Sequence, residues 1–166
     1  MVPMNESVQL VLFVLDEQRF ALALSVIERA VRVVDVTPLP AAPQSVLGID
    51  NVRGEVIPVY DLRRRFRLPE REIKLSDQLM IAKTSRHKVA LLVDAVDGVL
   101  EVAKDAIASA EQILPGMEYV HGVVKLQDGL VLIHDLEQFL SDEEERTLDQ
   151  ALQNVPRPSD SVMRND

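Results

Sequence analysis

The sequence predicts a mainly β chain built from two copies of one folding unit, and three observations carry that expectation. Residues 48–66, GIDNVRGEVIPVYDLRRRF, read as a strand, a glycine turn at Arg53-Gly54-Glu55, and a return strand closed by Asp61-Leu62. The same order comes back near the C-terminus. Gly122-Val123 opens a strand, Asp128-Gly129 supplies a tight turn, and His134-Asp135-Leu136 close the return ahead of Phe139. Gly48 and Asp61 are thirteen residues apart, as are Gly122 and Asp135, so a whole succession of glycine, turn, apolar return and Asp-Leu is shared. The turn glycine is offset by one residue between the copies, which predicts different hairpin registers. The third observation is Pro58, which cannot donate a ladder hydrogen bond and puts its strand at an edge or a barrel corner at that point.

Along the chain, residues 8–15, VQLVLFVL, are almost continuously apolar, as in a strand covered on both faces. A polar Asp16-Glu17-Gln18 turn leads to RFALAL, where Phe20, Leu22 and Leu24 share one face, so a hairpin is expected. Val31, Val33 and Val36 read as a half-exposed strand, and three prolines at 38, 40 and 43 then enforce a non-helical loop. Residues 67–77 are polar and serve as a connection, and the cluster Arg63, Arg64, Arg65 and Arg67 reads as the solvated face of a short helix capped by Asp61. Residues 78–83 and 89–93 are two more strands, residues 94–98 a bend, and residues 99–102 extended again. Ser141 and Glu144 form a capping box, and Leu148, Ala151, Leu152 and Val155 make one helical stripe. The carboxylates at 142–145 suit the helix N-terminus, and the residues after Pro156 read as a disordered tail.

Bulk properties restrict the function. A chain of 166 residues can bury a core without cross-links, and the absence of cysteine removes disulfides, thiolate metal sites and cysteine nucleophiles. The net charge of −9 argues against nucleic acid as the main partner, because phosphate binding needs clustered cations. The N-terminus shows no signal segment and no apolar run spans a bilayer, so a cytosolic protein is expected. A search for catalysis finds nothing assembled. The glycines form neither a phosphate loop nor a dinucleotide turn, and His87, His121 and His134 are scattered. His134 and Asp135 are adjacent in a strand and so point to opposite faces, a poor arrangement for a dyad. The expectation is a docking module without turnover, metal or cofactor.

The residues Phe20-Ala21-Leu22, Val26-Ile27-Glu28, Gly48-Ile49-Asp50-Asn51-Val52-Arg53-Gly54, Val56-Ile57-Pro58-Val59-Tyr60-Asp61-Leu62, Val93-Asp94 and Tyr119-Val120-His121-Gly122 together resemble the CheW family of chemotaxis coupling proteins. The resemblance runs from residue 8 to about residue 152, and Asn-x-Arg-Gly followed by Pro and Asp-Leu is its most specific part. It implies two SH3-like five-stranded β-barrels packed side by side, with short helical turns and a C-terminal helix. The corresponding boundaries are one CheW-like domain over 8–155, subdomains over 8–76 and 77–140, a helix over 142–155, and a tail over 156–166. It also implies a non-catalytic adaptor that binds the regulatory domain of a CheA-type histidine kinase and the cytoplasmic tip of methyl-accepting chemoreceptors. Such a protein is cytoplasmic and is recruited to receptor arrays without entering the membrane. Glu28, Gly48 and Arg53 match the kinase-binding positions of the family, and Val26 and Val99 the receptor-binding ones. Many relatives carry a proline near Ser109 and an aromatic near Ile113, and here the loop from Ala108 to Leu114 has neither. The alternatives are an adaptor of the same fold in pilus or gliding motility, and a small-molecule sensor.

Overall fold

The described strands form two sheets, and the hairpins that lead each half of the chain are exchanged between them. The computed structural model describes residues 6–33, 35–109, 120–138 and 142–155; the tail, Ser141 and the segment 110–119 lie outside the described residues. The strands are β1 (Ser7–Leu15), β2 (Gln18–Ala23), β3 (Ile27–Arg32), β4 (Val46–Val52), β5 (Glu55–Asp61), β6 (Gln78–Lys83), β7 (Lys88–Val93), β8 (Ala95–Ala103), β9 (Ile107–Ser109), β10 (Val120–Leu126) and β11 (Gly129–His134). Helix α1 is a single turn (Leu62–Arg65) and α2 covers Asp142–Gln153.

One sheet has the order β8-β1-β2-β11-β10-β9 and the other β3-β6-β7-β5-β4. The strand counts are therefore six and five among the described residues, against the expected five and five. The extra strand is the three-residue β9, whose counterpart in the other sheet is a lone bridge between Thr37 and Ile49. The sheets also do not divide the chain at residues 76 and 77. Hairpin β1-β2 joins the second bulged hairpin through parallel pairing of β2 with β11, and β6-β7 joins the first through parallel pairing of β7 with β5. A parallel pair cannot be closed by a hairpin and needs a crossover, and exchange of the two hairpins supplies both crossovers at once. The chain passes from one sheet to the other at the 3-10 turn Leu24–Val26 and back at Asp94.

The two bulged hairpins share one register, which corrects the expectation of different ones. Gly48 faces Val59 and Val52 faces Glu55, while Gly122 faces Ile133 and Leu126 faces Gly129. Each has a bulge just before its glycine, and each closes on a two-residue loop, Arg53-Gly54 in one and Gln127-Asp128 in the other. The offset glycine lies inside the loop in the first copy and begins the return strand in the second, so it moves without shifting the ladder. Pro58 falls outside the β5-β7 ladder, which covers only Val59, Tyr60 and Asp61.

Alternation within the shared strands divides their side chains between a central core and the sheets' own cores. On β1, Leu10 and Leu12 point into the six-stranded sheet's own core with Ala21, Val124 and Val131, while Val11, Phe13 and Leu15 point between the sheets. On β6, Leu79 and Ile81 fill the five-stranded sheet with Ile57 and Val59, and Met80 meets Phe13, Phe20 and Tyr60 in the central core. This two-sided burial is why residues 8–15 lack polar alternation. Leu148 and Ala151 of α2 are buried in the central core, so the helical stripe packs there.

The arginine cluster is not a solvated face. Arg63 is buried; its Nη2 donates to Asp94 Oδ2 at 2.6 Å and its Nη1 to the Pro69 carbonyl at 2.9 Å. Arg64 pairs with Glu70 at 2.9 Å, and Arg65 donates to the Gln138 carbonyl at 3.3 Å. A short helix buried on one side offers its guanidiniums to the loops around it, and only Arg67 is exposed. The expected strand around Val31 begins earlier, at Ile27, and the expected bend at residues 94–98 is the start of β8, with Gly98 at a φ of 115° beside a bulge.

Candidate docking surfaces

Arg53 stands at the first loop position of the β4-β5 hairpin with a φ of 52°, followed by Gly54 at 85°. Two positive φ values in a two-residue loop match the right-handed twist of the strands, and Asn or Gly normally takes the first of them. Arginine there carries a conformational cost of about 1 kcal/mol. The turn is held by Asn51, whose Oδ1 accepts from the Gly54 N–H at 2.9 Å. The Arg53 guanidinium makes no hydrogen bond or ion pair with the described residues. Among the described residues the strained position therefore gains nothing from the charge it carries.

Glu28 sits at the bulge of β3, skipped by the ladder between Ile27 and Arg29. It does not pair with Arg53. Its carboxylate lies 3.4 Å from Lys88 Nζ, and the same amine lies 3.3 Å from Glu55 Oε1. Hydrogen bonds to Glu55 and then Glu28 raise the Lys88 ammonium above the usual lysine range. Lys88 and Glu55 were not singled out by sequence reasoning, because they lie 60 and 27 residues from Glu28 and only strand order brings the three together.

Gly48 is dictated by packing. A Cβ there would lie 2.2 Å from the Thr37 carbonyl oxygen and 2.8 Å from its carbon, since the Thr37 bridge crosses the hairpin at that point. Gly122 repeats the arrangement, with Ile107 Cγ2 at 2.6 Å. Val26 and Val99 differ in environment. Val26, in the crossover turn, is half-buried and packs against the central core, whereas Val99 on β8 is 58% exposed opposite Val11. Val26 lies in the first crossover turn, whereas Val99 is the fifth residue of β8 and pairs with Val11, a member of the central core.

No assembled catalytic constellation appears among the described residues. His134 is buried and stacks on Phe66 at 4.3 Å between ring centroids, and Asp135 instead accepts from the Glu137 N–H at 3.0 Å. Among the described residues one set has metal-ligand chemistry, His87 with Glu145 and Asp149. The nearest approaches of its carboxylates are to different ring nitrogens, Glu145 to Nε2 at 3.8 Å and Asp149 to Nδ1 at 3.9 Å. No helix among the described residues is long and apolar enough to cross a membrane.

Comparison with known proteins adds three findings. The family model described as CheW-like domain matches residues 9–144. Chemotaxis protein CheW of Treponema pallidum is 32% identical over 146 residues, covering 84% of this chain and 86% of its own, and that of Rhizobium meliloti is 28% identical over 142 residues, covering 84% and 92%. Among solved structures, scaffolding protein TtCheW from Thermoanaerobacter tengcongensis superimposes with a TM-score of 0.76 at 27% identity, over 84% of this chain and 96% of that one.

Proposed function

The chain belongs to the CheW-like domain family of non-catalytic chemotaxis scaffolds, and from that premise we propose that it couples chemoreceptors to a CheA-type histidine kinase. In this reading the rim of the five-stranded sheet, with Glu28, Gly48 and Arg53, receives the kinase's regulatory domain. The junction between the sheets, with Val26 and Val99, receives the helical cytoplasmic tip of a methyl-accepting receptor. The observation that supports the kinase assignment is Arg53 in a left-handed turn position, with no hydrogen bond or ion pair to any described residue. Receptor capture places the chain at receptor arrays without any segment entering the bilayer, and the work of coupling requires no turnover, metal or cofactor.

Pull-downs with each partner alone, on variants shown to be folded, test the division of faces. Arg53→Glu is expected to weaken kinase binding by about 2–5 kcal/mol, as removal of a desolvated charge does, and to leave receptor capture intact. Val99→Asp is expected to do the reverse, because a helix on an apolar groove is driven by buried area. Loss of both interactions in both variants, or competition between kinase and receptor fragments for the wild-type chain, would sink the two-face reading.

A further inference from the structure

The repeat supplies an internal control for the charged rim. Val59 pairs with Ala90 as Ile133 pairs with Ala21, and Val59 and Ile133 hold the same place opposite Gly48 and Gly122. Counting from these pairs, Lys88 corresponds to Arg19, Arg53 to Gln127 and Glu55 to Gly129. Glu28 and Asp97 correspond as well, each being the residue skipped by the ladder at the bulge beside β6 or β1. One rim therefore carries Arg53, Glu55, Lys88 and Glu28. The other carries Gln127, Gly129, Arg19 and Asp97, and there Arg19 is taken by Asp128 at 2.7 Å. Equivalent backbones end in different charge sets, and among the described residues only the first rim carries the alternating set beside an arginine that has no partner there.

We propose that Lys88 and Glu55 belong to the kinase-docking surface, with Lys88 acting as a positioning residue that holds Glu28 in place; this rests on the function proposed above. The amine reaches carboxylates on two different strands, 3.4 Å to Glu28 on β3 and 3.3 Å to Glu55 on β5, and β6 separates β7 from β3. Exposed pairs of this kind contribute little to stability, yet the triad orders three long side chains. What it provides is a fixed row of charges, negative, positive, negative, beside the positive Arg53. A partner that fits presents cations toward Glu28 and Glu55 and a carboxylate toward Arg53. Such complementarity governs register and the choice of partner more than raw affinity.

The test titrates the kinase's regulatory domain against the full chain and six variants, with melting temperatures measured in parallel. Lys88→Met is expected to weaken binding about fivefold, Lys88→Arg less than about twofold, and the control Arg19→Met not at all. In a Glu28→Gln background, Lys88→Met should add less than about twofold, because a positioning residue has no effect once the group it positions is gone. Melting temperatures should stay within about 2 °C of wild type. The inference is overturned if Lys88→Met binds like wild type while Arg53→Glu is weakened, if the losses of Lys88→Met and Glu28→Gln are additive, or if Arg19→Met is equally weakened. Failure of the wild-type chain to bind, or wild-type affinity in Arg53→Glu, would instead overturn the parent reading.

Discussion

Arg63 forks onto Asp94 at the point where the chain crosses between sheets, Nη2 to Oδ2 at 2.6 Å and Nε to Oδ1 at 3.3 Å. The same carboxylate accepts from Arg71 Nη2 at 2.7 Å and from the Asp16 N–H at 2.9 Å, so one side chain ties α1, the 67–77 connection, the β1-β2 turn and the crossover. Arg71 continues the network to Asp77 at 2.7 Å. Asp16 and Glu17 both have positive φ, 54° and 71°, and the Asp94 bond secures that strained turn.

Arg63→Met should therefore destabilise the fold by about 3 kcal/mol, since it leaves a partly buried carboxylate short of its best donor. The double variant Arg63→Met with Asp94→Asn should cost less than the sum of the two single changes. Chemical denaturation of the three proteins measures both quantities, and full additivity would show that the residues do not act as a unit.

The same network sets an acid limb. Burial alone would raise Asp94 and Asp77, but the Asp16 amide with Arg63 and Arg71 outweighs it at Asp94, and Arg71 with the Lys74 amide outweighs it at Asp77. Both folded carboxyls thus lie below their unfolded values near ~3.9. Their contribution is complete above about pH 5 and is lost as pH falls through the unfolded value toward the folded one. Asp50 and Glu145, raised chiefly by burial, act with the opposite sign. Stability measured from pH 6 to pH 2.5 should fall on acidification, and more shallowly in Asp94→Asn. An equal slope in that variant would remove the network from the explanation.

Arg53 separates stability from function in a second way. Arg53→Asn replaces a residue strained at a φ of 52° by one that tolerates it, so the variant should gain about 0.5–1 kcal/mol of stability. The same change removes the cation proposed to meet the kinase, so binding should weaken as the melting temperature rises. A more stable variant with undiminished kinase binding would deprive the strained arginine of its proposed purpose.

Much of this was legible in local pattern. The glycine-hairpin-Asp-Leu repeat, the doubly covered strand at residues 8–15 and the α2 stripe each depend on neighbours in sequence, and each is found in the fold. The exchange of hairpins was not legible, because β2 and β7 are equivalent strands and nothing local says which bulged hairpin each will join. Arg63 was misread for a related reason. In LRRRF the burial of the first arginine depends on Asp94, 31 residues away. The Lys88 triad was missed because its members become neighbours only when β3, β5 and β7 close one rim.

The paired glycines allow packing and docking to be told apart. At Gly48 an added Cβ meets backbone, the Thr37 carbonyl oxygen at 2.2 Å, which cannot move without breaking the Thr37–Ile49 bridge and its 2.7 Å hydrogen bond from the Ile49 N–H. At Gly122 the closest atom is the Ile107 Cγ2 at 2.6 Å, a side-chain methyl and not backbone, with the Ala108 carbonyl oxygen at 3.2 Å. Overpacking costs about 1–3 kcal/mol where neighbours can give, and more where they cannot. Gly122→Ala should therefore destabilise by about 1–2 kcal/mol and Gly48→Ala by about 3 kcal/mol or more. If Gly48 matters to the kinase only through the shape of the hairpin that carries Arg53, binding at low temperature should recover in proportion to the folded fraction. Kinase binding lost in Gly48→Ala beyond its unfolded fraction, with Gly122→Ala unaffected, would instead make Gly48 itself part of the contact.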